Sequence, residues 1–271
     1  MKITALAENT SEREDLKTVH GLSIYIETPM HKLLFDTGPE GIAFVNAEKL
    51  GVDLADVDAA IISHGHYDHG GALKKFLEVN GKAKVYIREL AFEPYFVNNA
   101  GEKKYIGLDK ELAKSDRIVF TGDTMRIDDE LFLFSDVALS LDTKSRTALL
   151  RQTADGYEQD DFKHEQNLIL TAEGKAVLFS GCSHSGVGGI LEEALRYRPD
   201  ICAVFGGFHL FNPNSDETEE DDLVCRLAES LATCDTVFYT CHCTGKKAFE
   251  IMHEIMWERL RYFSTGMVVE L

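Results

Sequence analysis

The chain has 271 residues and a formal net charge of −18, from 28 Lys+Arg against 46 Asp+Glu. A surface this acidic repels phosphate backbones, and no Lys/Arg cluster interleaved with aromatics offsets it, which argues against nucleic-acid binding. No apolar run approaches the ~20 residues that cross a bilayer, MKITALAENTSERED lacks the basic-then-apolar order of a secretory leader, and six cysteines in a chain this long are not a disulfide framework. A single-domain cytoplasmic enzyme with reduced thiols, spanning 1–271 and independent of membranes, is the expectation.

In chain order, 21–27 and 32–36 read as strands joined by a turn at Pro29, followed by a helix over 41–50 that ends at Gly51. Residues 59–62 form a buried strand that runs straight into His64-Gly65-His66-Tyr67-Asp68-His69. After Gly70-Gly71, the spacing of Ala72, Leu73, Phe76 and Leu77 predicts a short amphipathic helix, and 84–87 a strand. Further strands fall at 167–170, 176–179, 202–205 and 236–240. The helices between and after them carry apolar stripes at Val187, Ile190, Leu191, Ala194 and Leu195, at Leu223, Val224, Leu227 and Leu231, and at Ala248, Ile251, Met252, Ile255, Met256 and Leu260. The acidic run from Asp216 to Asp222 reads as the solvated start of the second of these helices, where negative charge suits the helix dipole.

The 64–69 segment gathers three of the chain's 10 histidines beside an aspartate. Imidazole nitrogens and a carboxylate suit Zn²⁺, Fe or Mn²⁺, and neutral rings offer the lone pairs. In extended backbone, His64 and His66 point the same way, while Asp68 and His69 face a second site, so the pattern reads as a cradle for two ions. A loop rich in histidine by chance leaves this density unexplained. Asp36-Thr37-Gly38 also matches the aspartic-protease triplet. One copy would require a homodimer and leaves the histidine motifs without a role.

Taken with Asp36 at a strand end, HGHYDH at 64–69, GCSHSG at 181–186, GGFHL at 206–210 and CHCTG at 241–245, the chain resembles the metallo-β-lactamase superfamily from about Gly21 to its last strand. Within it the chain is similar to the branch named for the archaeal dihydropterin–ribofuranosylaminobenzene phosphate synthase. The resemblance implies an α/β fold, an αββα sandwich with ligand loops at one edge between the sheets. The stretch between His69 and His184 exceeds what a compact member needs, so 88–159 is expected to contain an insertion or lid, with Tyr95, Phe96 and Tyr105 as an aromatic wall.

The same resemblance assigns His64 and His66 to one of two divalent transition-metal ions, and Asp68, His69 and His242 to the other. Where many relatives bridge the ions with an aspartate this chain has Cys182, whose thiolate would replace it unless His184 completes the first site and water bridges. Asp36 is expected behind the histidine loop as a hydrogen-bond acceptor, and His209 beside the substrate as a donor or acid. His164 is a weaker ligand candidate, as is His20. The glycine turn after His242 opens a helix, so Thr244 and Lys246 are expected to hold a substrate anion.

The implied activity is that of a metal-dependent hydrolase in which metal-bound hydroxide, oriented by Asp68, attacks a small phosphorylated or ester-type substrate. The alternative is a transferase joining a pterin diphosphate to an aryl-ribosyl phosphate. Oxygen-reducing relatives resembling HxExDH have Glu where His66 stands and carry a flavodoxin domain not found here. A binding protein without catalysis is discouraged by the intact ligand set.

Overall fold

The computed structural model describes residues 1–140 and 143–271. In the first half, β1 (Lys2–Ala7), β2 (Ser23–Glu27) and β3 (Lys32–Phe35) form an antiparallel meander, and α1 (Ile42–Leu50) carries the chain over to β4 (Ala59–Ile61). The histidine loop runs into α2 (Tyr67–Gly70) and α3 (Leu73–Val79), and β5 (Lys84–Arg88) lies parallel to β4, as β4 does to β3. There follow β6 (Tyr95–Asn99), β7 (Glu102–Tyr105), β8 (Ile118–Thr121), β9 (Thr124–Arg126), β10 (Leu131–Ser135), the turn α4 (Lys144–Thr147), β11 (Leu149–Thr153) and β12 (Gly156–Gln159). The second half comprises β13 (Gln166–Ala172), β14 (Lys175–Phe179), α5 (Val187–Tyr197), β15 (Ile201–Gly206), β16 (Phe211–Asn212), β17 (Glu217–Thr218), α6 (Asp221–Ala232), β18 (Val237–Thr240), α7 (Lys246–Met256), β19 (Leu260–Tyr262) and β20 (Val268–Glu270).

Two seven-stranded sheets result, ordered β20-β1-β2-β3-β4-β5-β8 and β19-β18-β15-β14-β13-β10-β9. Each is antiparallel on one side and parallel on the other. Strand alternation turns Ile24, Leu33, Phe35 and Ile61 of the first sheet towards Leu133, Leu168, Phe179 and Phe205 of the second, forming the central core. The outer faces are covered by helices: Ala43, Ala47 and Phe76 pack on one sheet, and Val187, Val224, Leu227 and Met252 on the other. The chain is thus an αββα sandwich, and strands buried on both faces, such as ICAVFG in β15, read as continuous apolar runs because neither side meets water.

Within 88–159, β8, β9 and β10 extend the large sheets, whereas β12-β11-β6-β7 forms a four-stranded sheet of its own. That sheet has a separate apolar cluster of Tyr95, Val97, Ile106, Leu149 and Phe162. The acidic run departs from its expected form. Only Asp221 and Asp222 lie in the first turn of α6, while Glu217 and Thr218 pair with the 211–212 strand. Glu219 turns inward instead, accepting the backbone N–H groups of Lys144 (3.0 Å) and Ser145 (2.8 Å), so its charge serves the start of a different helical turn. Among the described residues, no helix is long and apolar enough to cross a membrane.

Phe205 lies between Phe179, 5.3 Å away centroid to centroid, and Tyr239, stacked at 4.4 Å. Replacing it with alanine at the centre of this layer costs about 3–5 kcal/mol through lost burial and the cavity left behind. Urea unfolding of Phe205→Ala is expected to show a lower midpoint with an unchanged slope.

Candidate metal centre

The parallel strands of both sheets end at the same edge, so the loops after β3, β4, β14, β15 and β18 meet there, as ligand sites in α/β sheets do. Asp36 follows β3 with φ +58°, a left-handed turn that aims its carboxylate across the next loop. Its Oδ1 accepts the Ser63 N–H at 2.7 Å, and its Oδ2 accepts the Ser63 hydroxyl at 2.7 Å and His69 Nδ1–H at 2.6 Å. Because the Ser63 hydroxyl donates to Asp36, its oxygen accepts from His64 Nδ1, 2.9 Å away. The outward nitrogens of His64 and His69 therefore carry the protons, and their Nε2 lone pairs face inward. Between the two motif histidines the chain presses against the 89–92 turn, and a Cβ on Gly65 would collide with the Ala91 carbonyl.

From the second sheet, buried Glu165 accepts the N–H groups of His184 (2.7 Å) and Ser185 (3.0 Å), drawing the loop after β14 over the centre. The His184 ring stacks on Phe162 at 4.5 Å and meets His209 edge-on at 4.3 Å. His242, with φ +52°, gives its N–H to Glu8 at 2.8 Å and its Nδ1–H to Asn9 Oδ1 at 2.9 Å, again leaving Nε2 inward.

Two clusters result. The ligand atoms of His64, His66 and His184 lie within 4.8 Å of one another. In the second, His69 Nε2 is 3.2 Å from His242 Nε2, which is 3.3 Å from Asp68 Oδ2. Cys182 Sγ, 3.1 Å from His69 Nε2, lies within ligand distance of His64 and His69 and so stands between the clusters. A tetrahedral ion with bonds of about 2.0–2.1 Å spaces its ligands by roughly 3.3 Å, which the 3.2 and 3.3 Å separations of the second cluster match. Among the described residues, the buried Nε2 atoms of His64 and His66 and both ring nitrogens of His184 have no hydrogen-bond partner. Orphaned polar atoms in such number at one point fit a cation.

The electrostatics agree. Burial, then the neighbouring rings, holds His64 and His184 well below the ordinary histidine value, and burial also lowers His66, so all three favour the neutral, ligating form. At His69 burial opposes charge, but the carboxylates of Asp36 and Asp68 outweigh it and lift the ring to about 9. Positive charge is therefore favoured at that point. Burial pushes the Cys182 thiol well up. Cys243 is also buried, yet the Cys182 side chain and His209 beside its sulfur hold it well down.

Several sequence expectations change. His164 has both nitrogens committed, Nδ1 accepting Gly65 N–H at 2.9 Å and Nε2 meeting Asp160 at 3.0 Å, so it braces the loop from behind and offers no free nitrogen to either cluster. Thr244 is fully buried: its hydroxyl accepts Phe208 N–H at 2.9 Å and bonds Thr240 at 2.6 Å, because the 242–244 turn directs it beneath the 206–208 backbone. Lys246 lies over the Tyr262 ring, 3.8 Å from its centroid, and neither residue lines the cleft. Alternation along β6 and β7 turns Phe96 and Tyr105 away from the cleft, where they pack with each other and Phe96 with Tyr157, while Tyr95, in phase with Val97, is buried behind His66 with its hydroxyl on the Leu90 carbonyl. Val97, Ile106, Leu149 and Phe211 form the wall in their place, with Lys104 at its edge. His209 does line the cleft; its φ is +52° and both ring nitrogens lack a hydrogen-bond partner among the described residues.

The fold is that of the metallo-β-lactamase superfamily, and residues 16–96, which carry the histidine loop, match the model of that superfamily. The crystal structure of a metal-dependent hydrolase of the β-lactamase superfamily is similar over 100% of this chain and 99% of its own, at 27% identity and a TM-score of 0.83. The chain is also similar to the 7,8-dihydropterin-6-methyl-4-(β-D-ribofuranosyl)-aminobenzene-5′-phosphate synthase of Methanocaldococcus jannaschii, at 25% identity over 100% of this chain and 96% of the synthase. Zn²⁺-bound PqqB from Methylobacterium extorquens shares the fold, with a TM-score of 0.60 at 13% identity over 100% of both chains.

Asp36→Ala would strand the Ser63 and His69 donors in the interior, at a cost of about 3 kcal/mol or more in the metal-free protein. Asp36→Asn retains an acceptor for Ser63 N–H and is expected to lose less. Urea midpoints of the two variants measure the difference.

Proposed function

We propose that the chain is a dinuclear metal-dependent hydrolase acting on a small anionic substrate, a phosphorylated or ester-type compound. The observation that carries this reading is the set of orphaned ring nitrogens on His64, His66 and His184, beside the converging Asp68, His69 and His242. The first three would hold one divalent ion and the second three another, with the Cys182 thiolate as a further donor between them. Zn, Fe and Mn suit the nitrogen and oxygen donors, and a thiolate would favour Zn or Fe. Bound there, the metal pair would supply Lewis acidity and acidify a water molecule. Asp68 would orient the nucleophile, and His209, its ring nitrogens free at the cleft, would donate a proton to the leaving group.

The cleft encloses about 680 Å³, counted out to its open mouth. Its apolar wall suits the body of a small organic substrate rather than a nucleic acid. Lys104 is the sole Lys or Arg lining it among the described residues, an exception in a chain of net charge −18 that suits a substrate anion. Six free thiols suit a reducing cytoplasm. The full-length similarity to the synthase supports a second reading, group transfer with water excluded by the same wall. Product analysis separates the two, since hydrolysis incorporates solvent oxygen and transfer does not.

Elemental analysis is expected to give close to two transition-metal ions per chain. His66→Ala and Asp68→Ala should abolish turnover with circular dichroism unchanged, while a folded protein that takes up only traces of metal would refute the dinuclear reading. If Cys182 bridges, Cys182→Asp retains both ions and Cys182→Ala loses one. Lys104→Gln is expected to weaken inhibition by inorganic phosphate roughly tenfold, as loss of about 1.4 kcal/mol would give. An unchanged inhibition constant would move the anion elsewhere.

A further inference from the structure

Besides His209, the cleft holds one more histidine that the two clusters do not use. The His20 ring lies tilted against His242 at 4.5 Å between centroids, and its Nε2 lies 3.4 Å from Asp68 Oδ2, so Asp68, His242 and His20 together resemble a ligand set. The groups behind the rings decide otherwise. Asn9 Oδ1 accepts His242 Nδ1–H at 2.9 Å and also faces the Gly21 N–H at 3.4 Å. The other end of the same amide, Nδ2, reaches His20 Nδ1 at 3.3 Å and the His242 carbonyl at 3.3 Å. An NH₂ group only donates, so His20 Nδ1 is an acceptor and the proton of the neutral ring sits on Nε2. Rotating the amide to suit a ligating His20 would set an NH₂ against His242 Nδ1–H and leave the His242 carbonyl without its donor.

We propose that Asn9 gives these adjacent histidines opposite tautomers: His242 presents a lone pair as a ligand, and His20 presents an N–H that positions Asp68 and is barred from the metal. This rests on the dinuclear reading above. Outer partners of this kind typically tune metal affinity by 10–100-fold without setting the number of ions.

Zinc-loaded protein labelled with ¹⁵N-histidine, together with zinc titrations of variants, tests it. The ¹⁵N spectrum is expected to show His20 protonated on Nε2 and His242 on Nδ1. His20→Ala should still take up two ions in excess zinc, with the affinity of the weaker site reduced about tenfold, and His20→Gln, whose amide can donate from a similar position, should recover to within about threefold. Asn9→Asp, which substitutes an acceptor for the NH₂ group, should move the His20 proton to Nδ1. A His20→Ala protein that holds only one ion in excess zinc makes His20 a ligand and overturns the proposal; so do unchanged zinc affinity in that variant and an Nδ1-protonated His20 in the native chain. Native protein that takes up no zinc refutes the dinuclear reading instead.

Discussion

An imidazole that offers one nitrogen inward must dispose of a proton on the other, and in a dry interior that proton needs an acceptor. This requirement organises the whole edge of the sandwich. Asp36 receives His69 directly and His64 through Ser63, and Asn9 receives His242. These acceptors come from loops far apart in sequence, so the centre can form only once both sheets are packed. The strain is local: Asp36, Ser183, His209 and His242 all adopt left-handed backbone, with φ of 58°, 55°, 52° and 52°.

The same logic explains the buried acids that surround the centre without entering it. Glu165 and Glu8 each accept a backbone N–H from a histidine, His184 and His242 respectively, and so fix where the chain runs at the ligand loops. Asp160 does this at one remove, holding the ring of His164 while that ring holds Gly65. Each carboxylate adds negative charge to a region where cations are favoured. Loop geometry and electrostatics are thus supplied by the same groups.

Much of this was legible from residue order. The apolar run at 59–62 and the ligand density after it marked both a strand and its loop, and the helical stripes from Val187 and from Ala248 matched helices because periodicity is a local signal, although Leu260, expected at the end of the last stripe, opens β19 after α7 stops at Met256. The partners behind the ligands were not legible. Glu8 and Asn9 follow an ordinary strand, and only the antiparallel pairing of β1 with β2, beside the loop after β18, brings them to His242. Thr244 misled because a hydroxyl near a helix start looks available until the turn before it directs it inward. Phe96 and Tyr105 misled for another reason: a single-residue step along a strand exchanges the cleft face for the opposite one, and Val97 and Lys104, not Phe96 and Tyr105, have the cleft phase.

The wall of the cleft and its floor belong to different sheets. The floor is built from strand ends of the two large sheets, tied together by hydrogen bonds that tolerate little change. Apart from Phe211, the wall comes from the small β12-β11-β6-β7 sheet and the residue that follows β7, a unit with its own apolar cluster that offers Val97, Lys104 and Leu149 on one face. Sequence drift can therefore remodel what the cleft admits while leaving the reactive floor intact. Divergence among chains of this architecture should accordingly concentrate in residues 95–105 and 149–159, making that sheet the natural place to graft when a new selectivity is wanted.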